Sequence, residues 1–296
     1  MPGITPFNFI DLEGASSIVS VLEEQGYYTI GTHSQPGVNY NRNTSYANLG
    51  FDRIYFQPDF VDLYNYGTRP RECDESVYQN LLRWQDETHE QWPESPVFIY
   101  NLTFQNHGAY NMLTDEWYRI KILEDYGEYT PLINEYLTTI QQSDEAFYHL
   151  TQYFEESEKP VVICMVGDHC PDFAPGVVRP DMSEGERNLK LRSVPFVIWS
   201  NQRIESKDMG YISMNMLVPQ MLKTAGLQVS PYYEYLTHLC EEVPVTGAYN
   251  TYFDADNQEH LYEEDNSYHD EVWKYLYMEY NNLDQLHRRE ELFRLQ

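Results

Sequence analysis

Lys159-Pro160-Val161-Val162-Ile163-Cys164-Met165-Val166-Gly167-Asp168-His169 is the stretch whose reading decides the fold. Six apolar residues entered through Lys-Pro and left through a glycine read as a buried strand of a mostly parallel sheet. The carboxyl end of such a strand is where open α/β sheets place their chemistry. Asp168 and His169 stand at that end. One offers a hard oxygen and the other a borderline nitrogen, a pair suited to a divalent cation. A turn aspartate beside a surface histidine is the plainer reading of the tripeptide alone. Cys164 reads as a small buried hydrophobe. Cys170 follows the pair, but the chain then turns away through Pro171, which argues against a third ligand.

Working outward, the pattern alternates between helices and strands. Residues 16–25 carry Ile18, Val21 and Leu22 at helical spacing and stop at Gly26. Residues 27–32 alternate toward a strand that delivers His33 at its end. A short helix over 41–49 closes at Gly50, and 53–56 form a short strand. A helix over 72–90 leads to a strand over 97–104, which delivers Asn106-His107-Gly108. The long helix expected over 131–156 repeats Tyr136, Ile140, Phe147, Leu150 and Phe154 at three- to four-residue steps. Beyond the central strand, 194–200 read as a strand and 213–225 and 268–280 as helices. This alternation predicts an α/β layered fold, a mostly parallel sheet flanked by helices. Residues 1–226 would form the core and 227–296 an acidic, tyrosine-rich extension. In a parallel sheet, strands of equal direction end on one edge, so His33, His107 and Asp168-His169 are expected to converge.

Composition narrows the partners. The 296 residues carry a net charge of −28, a field that repels nucleic-acid phosphates and excludes nucleic-acid binding. A hydrophobic content of 42% is enough to fold a sizeable core. Cys73, Cys164, Cys170 and Cys240 are widely separated, so neither a disulfide scaffold nor a zinc ribbon is indicated. The 27 tyrosines suit either a core edge or a wet, adhesive surface such as a glycan-facing one. No signal peptide and no membrane span is visible.

The first strand end reads Thr32-His33-Ser34-Gln35-Pro36-Gly37-Val38-Asn39-Tyr40-Asn41-Arg42. His33, the aromatic face of Tyr40 and the guanidinium fork of Arg42 combine a hydrogen-bonding ring, a stacking surface and a bidentate donor suited to a phosphate or sulfate ester. With Leu49-Gly50-Phe51-Asp52, Gln105-Asn106-His107-Gly108 and Gly167-Asp168-His169 following in order, the chain resembles the lipoteichoic acid synthase and phosphoglycerol transferase family. That family is the sulfatase-like branch of the alkaline phosphatase superfamily. The resemblance covers roughly residues 16–225.

The resemblance implies that Asp168 and His169 are ligands of a divalent metal, with manganese expected and zinc, magnesium or calcium as alternatives. It implies that His33, Tyr40, Arg42 and His107 line the pocket for a phosphoglycerol lipid headgroup or another phosphate or sulfate ester, with His107 also placed as an acid or base. Tyr40 stands where the family usually has tryptophan. The family's threonine nucleophile and an acidic metal ligand precede the His33 region. Pro2-Gly3-Ile4-Thr5-Pro6 offers neither, and Thr5 between prolines is a poor nucleophile. The chain is therefore expected to be part of a metal-dependent transferase in cell-envelope polymer synthesis, inactive alone, with the missing N-terminal segment of its parent as a partner. The parent would lie on the outer face of the membrane through upstream helices, with this chain itself soluble. A sulfatase or phosphodiesterase on the same scaffold is one alternative. A non-catalytic tyrosine-rich module binding glycans or teichoic polymers is another.

Overall fold

The computed structural model describes residues 6–178, 181–247 and 250–296; Thr5, weighed above as a nucleophile, lies outside them. Strand β1 (Tyr28–His33) pairs in parallel with β2 (Arg53–Tyr55) on one side and β3 (Val97–Leu102) on the other. Flanked on both edges, β1 is buried along nearly its whole length. Gly31 interrupts it because a Cβ there would lie 2.9 Å from the Tyr46 ring and 3.0 Å from that of Phe51.

Helices α1 (Ile18–Glu23), α2 (Arg42–Asn48), α3 (Asp74–Gln91) and α4 (Thr130–Glu155) connect or cover these strands. Ser17 caps α1, its hydroxyl accepting from the Val19 amide at 3.2 Å while Ser20 Oγ accepts from the Ser17 amide at 3.0 Å. The helix stops where Gly26 takes a positive φ of 82°.

Strand β4 (Val162–Val166) follows α4 and pairs antiparallel with β5 (Phe196–Ser200), after the short helices α5 (Ala174–Val177) and α6 (Glu184–Arg192). These strands form two separate sheets, a parallel trio and an antiparallel pair. Two expectations need correction. The 161–166 stretch forms a strand but is only half-buried, with Val166 and Val197 exposed, because β4 has one neighbour where β1 has two. Cys164 is likewise half-buried. In α4 the fully buried side chains include Asn134, Glu135, Thr138, Thr139, Gln142 and Ser143, whereas Ile140 is exposed and Tyr136, Phe147 and Leu150 are partly so. The helix turns its polar stripe inward because that stripe hydrogen-bonds loops of the sheet edge.

The remaining chain forms α7 (Met214–Thr224), α8 (Pro231–Glu242), a small antiparallel sheet of β6 (Val245–Thr246), β7 (Thr251–Phe253) and β8 (Glu259–Leu261), then α9 (His269–Leu283) and α10 (Glu290–Phe293). Sequence periodicity had not resolved α6, α8 or the small sheet. Among the described residues no helix is long and apolar enough to cross a membrane.

Two apolar clusters hold the molecule. One joins Val21 and Leu22 of α1 to Met216, Leu236, Tyr252, Val272 and Phe293. Tyrosines build much of it, Tyr232, Tyr233 and Tyr275 included. The other, under the parallel trio, packs Ile30, Phe60 and Val77 around Trp84, which stacks on Tyr55 with ring centroids 4.0 Å apart. Neither cluster contains a residue of β4 or β5.

Phe293 is completely buried against Tyr232, with ring centroids 5.3 Å apart. Phe293→Ala should cost about 3–5 kcal/mol in urea unfolding, the range for emptying a buried aromatic site. A loss below about 1 kcal/mol would show that the site collapses around the deletion.

Candidate functional site

Three histidines leave the carboxyl ends of β1, β3 and β4, each held in the same way. His33 donates Nδ1–H to the Leu102 carbonyl at 2.8 Å, His107 to that of Gly108 at 2.9 Å, and His169 to that of Cys170 at 2.8 Å. A carbonyl can only accept, so each Nδ1 carries the proton, and the neutral form of such a ring has its lone pair on Nε2. This is the tautomer that binds metals and accepts hydroxyl hydrogens.

His33 is buried, and burial pulls its pKa down to about 4, with the charges of Arg42 and His107 adding to the effect. Phe104 sits between the first two histidines, its ring 6.1 Å from His33 and 4.8 Å from His107. The Arg71 guanidinium lies 4.6 Å from the Phe104 centroid and donates to the Gly108 carbonyl at 2.9 Å. Neither Phe104 nor Arg71 was singled out from the sequence. The Arg69-Pro70-Arg71-Glu72 run was their available signal.

Arg42 opens α2 and stacks 4.8 Å from the Tyr40 centroid. Tyr40 and Asn41 both adopt left-handed backbone, with φ of 57° and 56°, uncommon for non-glycine residues and found where function over-determines a loop. The Phe7 carbonyl accepts from Asn41 Nδ2 at 3.0 Å and steadies that turn.

Asp168 and His169 are exposed, with Asp168 Oδ2 3.5 Å from His169 Nε2. Ligands bound to one zinc at ~2.0–2.1 Å in tetrahedral geometry lie about 3.3 Å apart, so one cation fits between these two atoms. Among the described residues, no group of three or more His, Cys, Asp or Glu side chains can hold a metal ion. The pair fits two positions of a coordination shell, and the described residues do not supply the rest. No hydrogen bond or ion pair among them joins Asp168-His169 to His33, Arg42 or His107. The link runs through tyrosines: both Arg42 and Asp168 act on the phenol of Tyr100, and Asp168 and Asp172 both help raise that of Tyr110, which burial lifts to about 12.

The loop that carries His107 is fixed by a buried ion pair. Arg69 and Glu135 meet with 1% and 0% of their side chains exposed. Arg69 also donates to the carbonyls of Ala109 at 3.1 Å, Gln105 at 3.2 Å and His107 at 2.9 Å. The other Glu135 oxygen accepts from the amides of Met112 and Leu113, each at 2.8 Å. Gln105 Oε1 accepts the Asp74 amide at 2.7 Å, and Gln105 Nε2 donates to the Thr139 carbonyl at 3.0 Å. The inward polar stripe of α4 therefore grips this loop from below.

A parallel trio of strands flanked by helices, with His33 and His107 at its carboxyl end, defines an α/β protein with the layered fold of the alkaline phosphatase type. The sulfatase family profile matches residues 6–227, three quarters of the sequence, and the chain belongs to the sulfatase family. It is 26% identical over 227 residues to a provisionally assigned cyclic β-1,2-glucan modification protein of Rhizobium meliloti, covering 73% of this chain and 34% of that one. It is 23% identical over 190 residues to the lipoteichoic acid synthase-like YvgJ of Bacillus subtilis, covering 60% of this chain and 28% of that one. The chain thus spans about a third of these relatives' length. Its fold is similar to the Streptococcus pyogenes phosphoglycerol transferase GacH, solved in complex with sn-glycerol-1-phosphate: TM-score 0.64, 22% identity, 82% of this chain and 62% of that one. It is also similar to the Listeria monocytogenes lipoteichoic acid synthase LtaP: TM-score 0.62, 17% identity, 97% and 77%.

Glu135→Ala leaves the Arg69 guanidinium buried without its counter-charge and should cost about 3–5 kcal/mol in urea unfolding. Glu87→Ala, which breaks the exposed Arg83 pair, should cost less than about 1 kcal/mol. Equal losses would remove the clamp from its assigned role. The depressed His33 pKa predicts a pH window. Between about 4 and 6.5 the unfolded chain binds a proton that the folded site refuses, so this contribution is fully present above pH 6.5 and is lost as pH falls toward 4. NMR titration should find the His33 ring neutral at pH 5.5; a midpoint near 6.5 would contradict the burial argument.

Proposed function

We propose that this chain forms the ester-gripping half of a sulfatase-family enzyme that transfers or hydrolyses phosphate esters, phosphoglycerol esters foremost. The observation that carries this reading is the shared restraint of three imidazoles from three strand ends, each with its Nε2 lone pair free. Arg42, with Tyr40 beneath it, would hold an ester oxyanion through its guanidinium fork. His33, neutral and buried, suits no oxyanion, since both would be acceptors. It would accept a hydrogen from a substrate hydroxyl, and a glycerol hydroxyl supplies one. His107, the exposed imidazole, is placed to exchange a proton with the reacting oxygen or with solvent.

Asp168 and His169 would hold two positions of a divalent cation, manganese in the reading favoured by resemblance. Such a cation neutralises charge on transferring phosphoryl oxygens. The nucleophile and the remaining ligands would come from polypeptide ahead of Pro6 in the parent protein. The names of the two solved neighbours support a phosphoglycerol substrate over a sulfate ester.

The 296-residue chain with manganese should not turn over bis(p-nitrophenyl) phosphate above background. It should bind sn-glycerol 1-phosphate, and Arg42→Ala should weaken that binding at least ~10-fold, about 1.4 kcal/mol. Binding indifferent to Arg42→Ala would remove the oxyanion assignment, and robust turnover by the chain alone would overturn the half-site reading.

A further inference from the structure

Arg71 is a half-buried guanidinium with no carboxylate of its own. It belongs to the run Arg69-Pro70-Arg71-Glu72, which ties two strand ends together. Glu72 accepts from Gln35 Nε2 at 2.8 Å and from Ser34 Oγ at 3.4 Å, both in the turn that follows β1. One residue earlier, Arg71 reaches the turn that follows β3. Its Nη2 donates to the Gly108 carbonyl at 2.9 Å, and its guanidinium lies 4.6 Å from the Phe104 centroid. The same Gly108 carbonyl accepts from His107 Nδ1 at 2.9 Å. Two donors that share one oxygen are close neighbours, so Arg71 Nη2 lies within about 6 Å of the His107 imidazole. The Phe104 ring on which Arg71 rests also touches both His33 and His107.

A guanidinium carries five N–H groups. Arg71 commits one to Gly108 and one to the Pro70 carbonyl at 3.0 Å, while its buried Nε meets no acceptor. Arg69, Arg83, Arg119, Arg288, Arg289 and Arg294 each hold a carboxylate. Among the described residues Arg71 makes no ion pair, although the chain has 47 acidic residues against 19 basic ones. The oxygens of the adjacent Glu72 are taken by Gln35 and Ser34. Burial pulls the Arg71 pKa down, the nearby charge of Arg69 lowers it further, and Glu72 opposes both only in part. An anion at the fork would relieve both effects and give the buried Nε–H an acceptor. Arg42 is in the same condition: its Nη1 donates to the Asn39 carbonyl at 3.3 Å, and among the described residues it has no carboxylate partner.

We infer that Arg71 is a second oxyanion-binding residue of the ester site, holding one phosphate oxygen beside His107 while Arg42 holds another. Phe104 and the Gly108 carbonyl fix the plane of its fork, so the donors are oriented before a ligand arrives. The two guanidiniums give the rim a local positive field inside a chain of net charge −28. The ligand class that suits such a pair is a phosphate ester with at least two unesterified oxygens, one for each fork. A neutral polyol offers neither charge nor geometry to them. Arg71 also has a positioning effect, because it shares the Gly108 carbonyl with His107. The inference rests on the reading that this rim grips phosphate esters.

NMR of the nitrogen-15-labelled 296-residue chain tests it, with inorganic phosphate and then sn-glycerol 1-phosphate as probes. The Arg71 Nε–H resonance should shift in a saturable way with each. This signal is read in the unaltered chain, so the test stands even where a variant fails to fold. Arg71→Gln should weaken sn-glycerol 1-phosphate binding at least ~10-fold, and Arg71→Lys, which keeps charge without the fork, by less. The affinity of Arg71→Gln should also depend less steeply on salt than that of the unaltered chain, since one charged contact is gone. An Arg71 Nε–H signal unmoved at saturation overturns the inference. So does weaker binding by Arg71→Gln with an unchanged salt dependence, which would make Arg71 a strap for the His107 loop and nothing more. Binding that falls in Arg42→Ala but ignores Arg71→Gln would defeat the inference and leave the proposed function standing. An Arg71 response to inorganic phosphate, with no preference for the glycerol ester and no effect of Arg42→Ala, would do the reverse.

Discussion

The buried pair of Arg69 and Glu135 is the constraint on which the rim depends. One guanidinium gathers the carbonyls of Gln105, His107 and Ala109, and its counter-ion takes the amides of Met112 and Leu113. A loop of this kind has backbone groups that no strand partner satisfies, and burying them unpaired would be costly. An ion pair in that position adds little net stability over a well-packed apolar substitute. What it supplies is geometry, because the two terminal nitrogens of Arg69 meet the three carbonyls along one path of the loop. The imidazole of His107 is aimed as a consequence.

The same economy governs the three histidines. His33 is fixed by a carbonyl of the neighbouring strand β3, and His107 and His169 by carbonyls of their own loops, so the direction of each remaining nitrogen is set by main chain and not by a mobile side chain. Parallel strands end on one edge, which is why residues 33 and 107, far apart in sequence, share a rim, while His169 follows β4 of the antiparallel pair. Burial then separates their chemistry: His33 is held neutral, while His107 remains open to solvent.

Strand ends and glycine stops were legible in the sequence because they are local: an apolar run closed by Gly167, a helix closed by Gly26, a strand ending in His33. The polar face of α4 was not, since Tyr136, Ile140 and Phe147 keep helical spacing as faithfully as Glu135, Thr138, Gln142 and Ser143. Only the partners decide which stripe turns inward, and those partners, Gln105 and Arg69, lie in other elements. Burial of the 161–166 stretch failed for a related reason. Composition states what a strand tolerates on its faces; it does not state how many neighbours it has. The tyrosine-rich cluster that includes Phe293 was likewise hidden, because a tyrosine-rich acidic segment reads equally well as a wet surface.

That last cluster has a consequence for biosynthesis. Val21 and Leu22 enter the ribosomal exit tunnel early, yet the cover over them is completed by Tyr232, Val272 and Phe293. The Ser16 amide waits in the same way for Asn282, which it meets at 2.8 Å. The trio around Trp84, whose members all fall before residue 103, can close while translation continues. The first helix is thus left uncovered until Phe293 has been made, a long interval in which chaperones have an apolar target.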